Sequence, residues 1–190
     1  QAAKSLQNDY PLIHFHIVSG DRRAVMEQLD KGLIDFALLH ENIDAARYET
    51  IAIPYKNEWG LLMRRDAPLA EKKFITAEDL KDLPIIVSRQ ILQNAEFQMF
   101  QEKDEHKFRI VATYNLLYNG SLMVEEGMGY ALCFDKIINT SGDSKLCFRP
   151  LMPKRETSMA IIWKRYQIFS TAAQKFLKKL QEEPLIEPAD

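Results

Sequence analysis

The chain has 190 residues, 46% of them hydrophobic and 27% charged, with 25 Lys plus Arg against 27 Asp plus Glu for a net charge of -2. A chain this long buries roughly 70% of its unfolded surface in one large domain or two small lobes. Seven Gly, eight Pro and no repeated unit exclude disordered and collagen-like classes; the missing basic surplus argues against direct clamping of nucleic acid.

Residues 1–9 have helical composition that Tyr10-Pro11 ends, as though the chain begins inside a helix. Leu12–Val18 alternates, Ile13, Phe15 and Ile17 against His14, His16 and Val18, which predicts a half-buried strand. Ser19-Gly20-Asp21 offers helix N-caps, Lys31 falls in the last turn and Gly32 is a C′ residue. Ile34–Leu39 is a short apolar run of the kind found inside parallel sheets. Tyr48–Pro54 and Trp59–Arg64 read as extended. Thr76-Ala77-Glu78-Asp79 resembles a capping box opening a short helix that Pro84 ends.

Pro84–Val87 is a second buried strand, and 94–103 a helix. Arg109–Thr113 is a strand, Leu116–Glu126 a helix closed by Gly127, and Tyr130–Phe134 a strand. Strands at Lys145–Leu151 and Met159–Trp163 precede a helix at Ser170–Glu182, whose stripe is Phe169, Ala173, Phe176, Leu177 and Leu180. Repeated strand–helix–strand units predict an α/β fold with mostly parallel sheets and helices on both faces.

Catalytic signatures are missing. No G-x-S-x-G elbow, HExxH or Walker sequence occurs, and Gly127-x-Gly129 follows a helix, which makes it a C-cap rather than a dinucleotide fingerprint. His14 and His16 share a face, but no further ligand stands at metal-binding spacing, so a solvent or interface face is favoured over zinc. Cys133 and Cys147 lie in apolar runs and read as buried thiols of a reducing compartment. The apolar runs are a handful of residues, against roughly 20 for a membrane helix. No enzyme activity, cofactor, metal or membrane partner is expected.

What recurs is a strand end followed by small polar residues: Ser19-Gly20-Asp21, Ser88-Arg89-Gln90 and Thr113-Tyr114-Asn115. Ligands of open α/β sheets sit beyond the carboxyl ends of strands, where helix N-termini favour anions. Any one of these groups serves equally as a plain helix cap; three with one logic point to a small-ligand cleft.

The order of motifs resembles LysR-type transcriptional regulators. Leu29-Asp30-Lys31-Gly32-Leu33-Ile34-Asp35-Phe36-Ala37-Leu38 is similar to their L-x-x-G-x-L-D-L-A-I segment, and Asp66-Ala67-Pro68-Leu69-Ala70 to H-P-L-A. Asp79-Leu80-x-x-Leu83-Pro84-Ile85-Ile86 resembles D-L-x-x-x-P-x-I, and Val124–Leu132 resembles V-x-x-G-x-G-I-A-L. The resemblance covers roughly residues 10–182. It implies an effector-binding domain with the type 2 periplasmic binding protein fold, two Rossmann-like lobes joined by two crossover strands. Lobe one would be residues 1–64 and 155–190, and lobe two residues 65–154.

The family's winged helix-turn-helix is absent, so promoter DNA would be contacted only by that missing N-terminal domain. The first strand of lobe one, with its ligand-binding Ser or Thr, is also absent, which predicts a vacancy in that lobe's sheet. Cys133-Phe134-Asp135 stands where the family often has L-L-P. By family position, a small and possibly anionic effector would meet Ser19, Gly20 and His40 from lobe one, and Ser88, Arg89, Tyr114, Asn115 and Phe134 from lobe two. Ser88 and Asn115 are the expected hydrogen-bonding partners. A cytoplasmic homodimer, pairing about the 14–18 strand face and the first helix, is implied. The alternative on the same fold is the solute-binding protein of a transport system; an enzyme on a related scaffold comes third.

Overall fold

The structure, a computed structural model, describes residues 1–40, 43–93 and 109–182. The expected helix at 94–103 lies outside the described residues. Two compact units emerge, residues 1–56 with 158–190 and residues 57–157. Both β2 (Tyr48–Arg64) and β7 (Glu156–Lys164) carry the chain from one unit into the other. The break expected between Pro54 and Trp59 is absent: β2 is continuous over 17 residues. A proline ring is tolerated in a strand where no ladder N–H is required of it.

In the first unit, α1 (Ala2–Asp9) packs beside α4 (Thr171–Glu182). Leu6 is fully buried, and the Lys179 ammonium reaches both Ser5 Oγ at 3.2 Å and Asp9 Oδ2 at 2.8 Å. Helix α2 (Arg22–Asp30) starts where Asp21 accepts from the Ala24 N–H at 2.9 Å, and it ends before Gly32, whose φ is 69°. The last residue of α2 is anchored to β2: Tyr48 donates to Asp30 Oδ1 at 2.5 Å and Arg47 to Oδ2 at 3.0 Å. Leu29, Ala37, Leu39, Tyr48 and Ile162 form the core.

Two expectations for this unit are corrected. The run Ile34–Leu39 is not a parallel-sheet strand. It yields β1 (Ala37–His40), antiparallel to β7 with Ala37 opposite Ile162, and no other strand pairs with it among the described residues. Leu38 is therefore 54% exposed. Residues 12–18 form no strand at all. Phe15 rests edge-on against Phe176 at 5.4 Å, whereas Leu12 and Ile17 are 92% and 90% exposed. A strand exists only where a neighbour supplies N–H and C=O groups, and none of the described strands pairs here.

The second unit has the strand order β6–β2–β5–β3–β4, from β3 (Pro84–Ser88), β4 (Arg109–Tyr114), β5 (Tyr130–Phe134) and β6 (Leu146–Pro150). Here β3 runs parallel to β4 and β5, while β2 is antiparallel to β5 and β6. The sheets are mixed, not mostly parallel, because the crossover strands enter against the others. Side chains alternate between two cores: Leu61, Met63, Ile85, Val87 and Leu132 on one face; Leu62, Ile86, Tyr114, Ala131 and Cys133 on the other. The second face is covered by α3 (Leu117–Glu125). A Cβ on Gly60 would overlap the Phe148 ring and the Arg149 carbonyl oxygen, so only glycine admits this approach of β6. The capping box at Thr76 produces one 3-10 turn, Glu78–Leu80, rather than an α-helix. Asp79 accepts from both the Thr76 N–H and Oγ1.

Candidate functional site

Three neighbouring parallel strands end on one edge of the second unit. Ser88 closes β3 opposite Tyr114 of β4, and the Arg89 N–H continues the ladder by donating to the Tyr114 carbonyl at 2.8 Å. On the other side Val87 pairs with Leu132, two residues before Phe134. Next to them Asn115 leads into α3, whose N-terminus has no side-chain cap. The Asn115 carboxamide oxygen accepts from Leu116 N–H at 3.0 Å, and the following first-turn amides keep the partial positive charge of an open helix start. Arg89 adds a full positive charge on an exposed side chain.

Tyr114 contributes differently from the expectation. Its ring is buried and its hydroxyl donates to the Leu132 carbonyl at 3.1 Å, with burial pushing its pKa well up. Gly120 on α3 leaves room for that ring. Tyr114 therefore braces the floor of the edge from within the core. Phe134 is half-buried with its ring tilted 47° against Trp59, centroids 3.9 Å apart. Trp59 is its cross-strand partner in β2, and the pair is fixed by Glu58 N–H to Asp135 Oδ1 at 2.7 Å and Asp135 N–H to the Glu58 carbonyl at 2.9 Å. Sequence reasoning missed Trp59; the signal was its place opening the WGLLMR run.

The remaining residues group in the first unit. His40 ends β1, and its carbonyl accepts from Arg22 Nη1 at 3.0 Å. Burial, followed by the Arg22 charge, holds the imidazole pKa below its usual value. Ser19 and Gly20 immediately precede Asp21, whose carboxylate already caps α2. That carboxylate adds negative charge at a helix start, so the electrostatics favour an anion at α3 over α2.

Thiol chemistry finds no support. Cys133 and Cys147 are buried on β5 and β6, which flank β2 on opposite sides, and they belong to the two different cores. Burial pushes the Cys133 thiol up to about 12 and raises Cys147 as well, the reverse of a reactive thiolate. Among the described residues no group of three His, Cys, Asp or Glu is placed to hold a metal ion, and no helix is long and apolar enough to cross a membrane.

No curated protein matches the chain by sequence. Solved structures do match in fold. HinK, a LysR family transcriptional regulator from Pseudomonas aeruginosa, superposes with a TM-score of 0.76 at 19% identity over 95% of this chain and 63% of its own. This chain thus spans less than two thirds of HinK. The regulatory domain of Synechocystis CcmR, solved in complex with 2-PG, gives 0.77 at 16% identity over 94% of this chain and 87% of its own. The effector binding domain of QuiR in complex with shikimate gives 0.77 at 15% identity, covering 94% and 86% respectively. The fold is that of the periplasmic binding protein-like domains of these regulators. The LysR substrate binding domain family matches residues 1–184, and the chain belongs to that family as the effector-binding domain of a LysR-type transcriptional regulator.

Proposed function

We propose that this chain senses a small-molecule effector held between its two lobes. The observation that carries this reading is the meeting of Ser88, Arg89 and Asn115 on one edge of three parallel strands, beside an uncapped helix start. Lobe one would add Ser19, Gly20 and His40. Ligand complexes of the CcmR and QuiR domains support the class of function. The chain acts as a regulatory part of a homodimeric cytoplasmic protein, without catalysis of its own, and promoter DNA is bound by a separate N-terminal domain. Transmission to that domain requires the effector to bind two lobe arrangements with different affinity, since tight but equal binding shifts nothing. A thermal-shift screen with metabolites tests the reading. A ligand of the native state alone raises stability by RT ln(1+[L]/Kd), about 2.7 kcal/mol at a hundredfold excess over Kd. Absence of any stabilising small molecule would contradict it.

A further inference from the structure

The chain passes between the two units twice, in β2 between Lys56 and Asn57 and in β7 between Thr157 and Ser158. Strand β2 has different company on the two sides of Glu58. From Trp59 to Leu62 it pairs with β5, whereas upstream its neighbour among the described strands is β7. The support of β2 thus narrows at Glu58 from a sheet to a two-strand ribbon. Such a ribbon twists and bends more readily than the interior of a sheet.

Four hydrogen bonds hold this narrowing point. Toward the second crossover, the Trp59 N–H donates to the Arg155 carbonyl and the Leu151 N–H to the Trp59 carbonyl, both at 2.9 Å. Toward β5, the Asp135 N–H donates to the Glu58 carbonyl at 2.9 Å, and the Glu58 N–H donates to Asp135 Oδ1 at 2.7 Å. In an unbroken antiparallel ladder that last N–H would meet the backbone carbonyl of residue 135. The Asp135 carboxylate takes the carbonyl's place, and Lys136, at φ 60°, turns the chain away from β2. Of the four bonds it is the one made by a side chain, and a charged acceptor makes it strong. One substitution can therefore release β2 here and leave every backbone group in place. We propose that the Asp135 carboxylate is a latch that sets the stiffness of the ribbon joining the two units, and with it the ease of the lobe movement that effector signalling requires.

The inference rests on the effector-binding reading above for its use of lobe movement, and its test uses no ligand, so the two fail separately. Spin labels at Arg23→Cys on α2 and Asn119→Cys on α3, both exposed helix positions, report the spread of distances between the units by pulsed dipolar spectroscopy. The native thiols Cys133 and Cys147 are buried and escape the label. Asp135→Ala broadens the distance distribution and speeds amide exchange at Glu58 about tenfold, the equivalent of one lost hydrogen bond of about 1.4 kcal/mol. The melting temperature stays within a few degrees of the parent's. Asp135→Asn, which keeps an acceptor oxygen, remains near the parent in both measurements. Asp135→Leu, alike in size to Asn and without an acceptor, gives the result expected of Asp135→Ala should the Ala chain not fold. Faster exchange at Glu58 with an unchanged distance distribution makes the bond a local one and overturns the latch. Unchanged exchange at Glu58 overturns it too, since Asp135 then holds nothing.

Discussion

The two units solve the burial problem differently. In the second, both faces of the sheet are sealed: Leu61, Leu62, Met63, Ile85, Ile86 and Val87 are all fully buried. In the first, Leu12, Ile17, Tyr166 and Ile168 are almost fully exposed and β1 has one strand neighbour among the described residues. A self-contained sheet fixes the strand ends that carry Ser88, Arg89 and Phe134, and side chains on rigid elements are placed more precisely than those on loops. The first unit, with Leu12 and Ile17 exposed in the 12–18 segment, is the one that would gain from a covering partner.

Glycine substitutions sharpen this contrast most. Gly60→Ala forces a methyl into the Phe148 ring and the Arg149 carbonyl, and should cost about 3 kcal/mol or more by urea denaturation. Gly20→Ala in the first unit meets Ala24 and Val25 at an ordinary 3.5 Å and should change stability by less than about 0.5 kcal/mol. Similar costs at both positions would erase the distinction.

Side-chain deletions give the next largest effect. Ile86→Ala removes a fully buried side chain from the core between the sheet of the second unit and α3 and should cost about 2–5 kcal/mol. Ile17→Ala should be nearly silent in a monomeric sample, since the side chain is 90% exposed. A large, concentration-dependent loss at Ile17 instead would show that a second copy covers 12–18, in line with the proposed dimer.

Acid stability tests the anchor that holds the first unit together. The Tyr48 hydroxyl and then the Arg47 guanidinium keep the Asp30 pKa below its ordinary 3.8. A depressed carboxylate pKa stabilises the fold above the unfolded value, and this contribution is lost as pH falls through the folded value. Tyr48→Phe should therefore cost about 1–2 kcal/mol near neutral pH, with the gap to the parent narrowing below about pH 4. A gap that stays constant down to acid pH would remove Asp30 from the account.

Most strands of the second unit were readable because Pro84–Val87 and Tyr130–Phe134 are short apolar runs bounded by turn residues, and helix 171–182 shows a clear stripe. Residues 12–18 were not, because alternation records which side chains are apolar and carries no information on whether a partner strand is available. The orientation of Tyr114 was hidden by an irregularity in β4. The partner of Ile85 is Ile110 and that of Ile86 is Ala112, so one extra residue shifts every later side chain to the other face. Ser88, Arg89 and Asn115 were legible as strand-end polar residues. Trp59 joined them only through its pairing with Phe134, 75 positions away, a non-local contact that no local pattern encodes.

The most direct test of the strand-edge site is calorimetric titration of a stabilising metabolite into the parent chain, Ser88→Ala and Asn115→Ala. Each substitution should weaken binding by about 1–3 kcal/mol while the melting temperature stays within a few degrees of the parent's. Unchanged affinity in both variants would contradict the account and move the effector away from the carboxyl ends of β3 and β4.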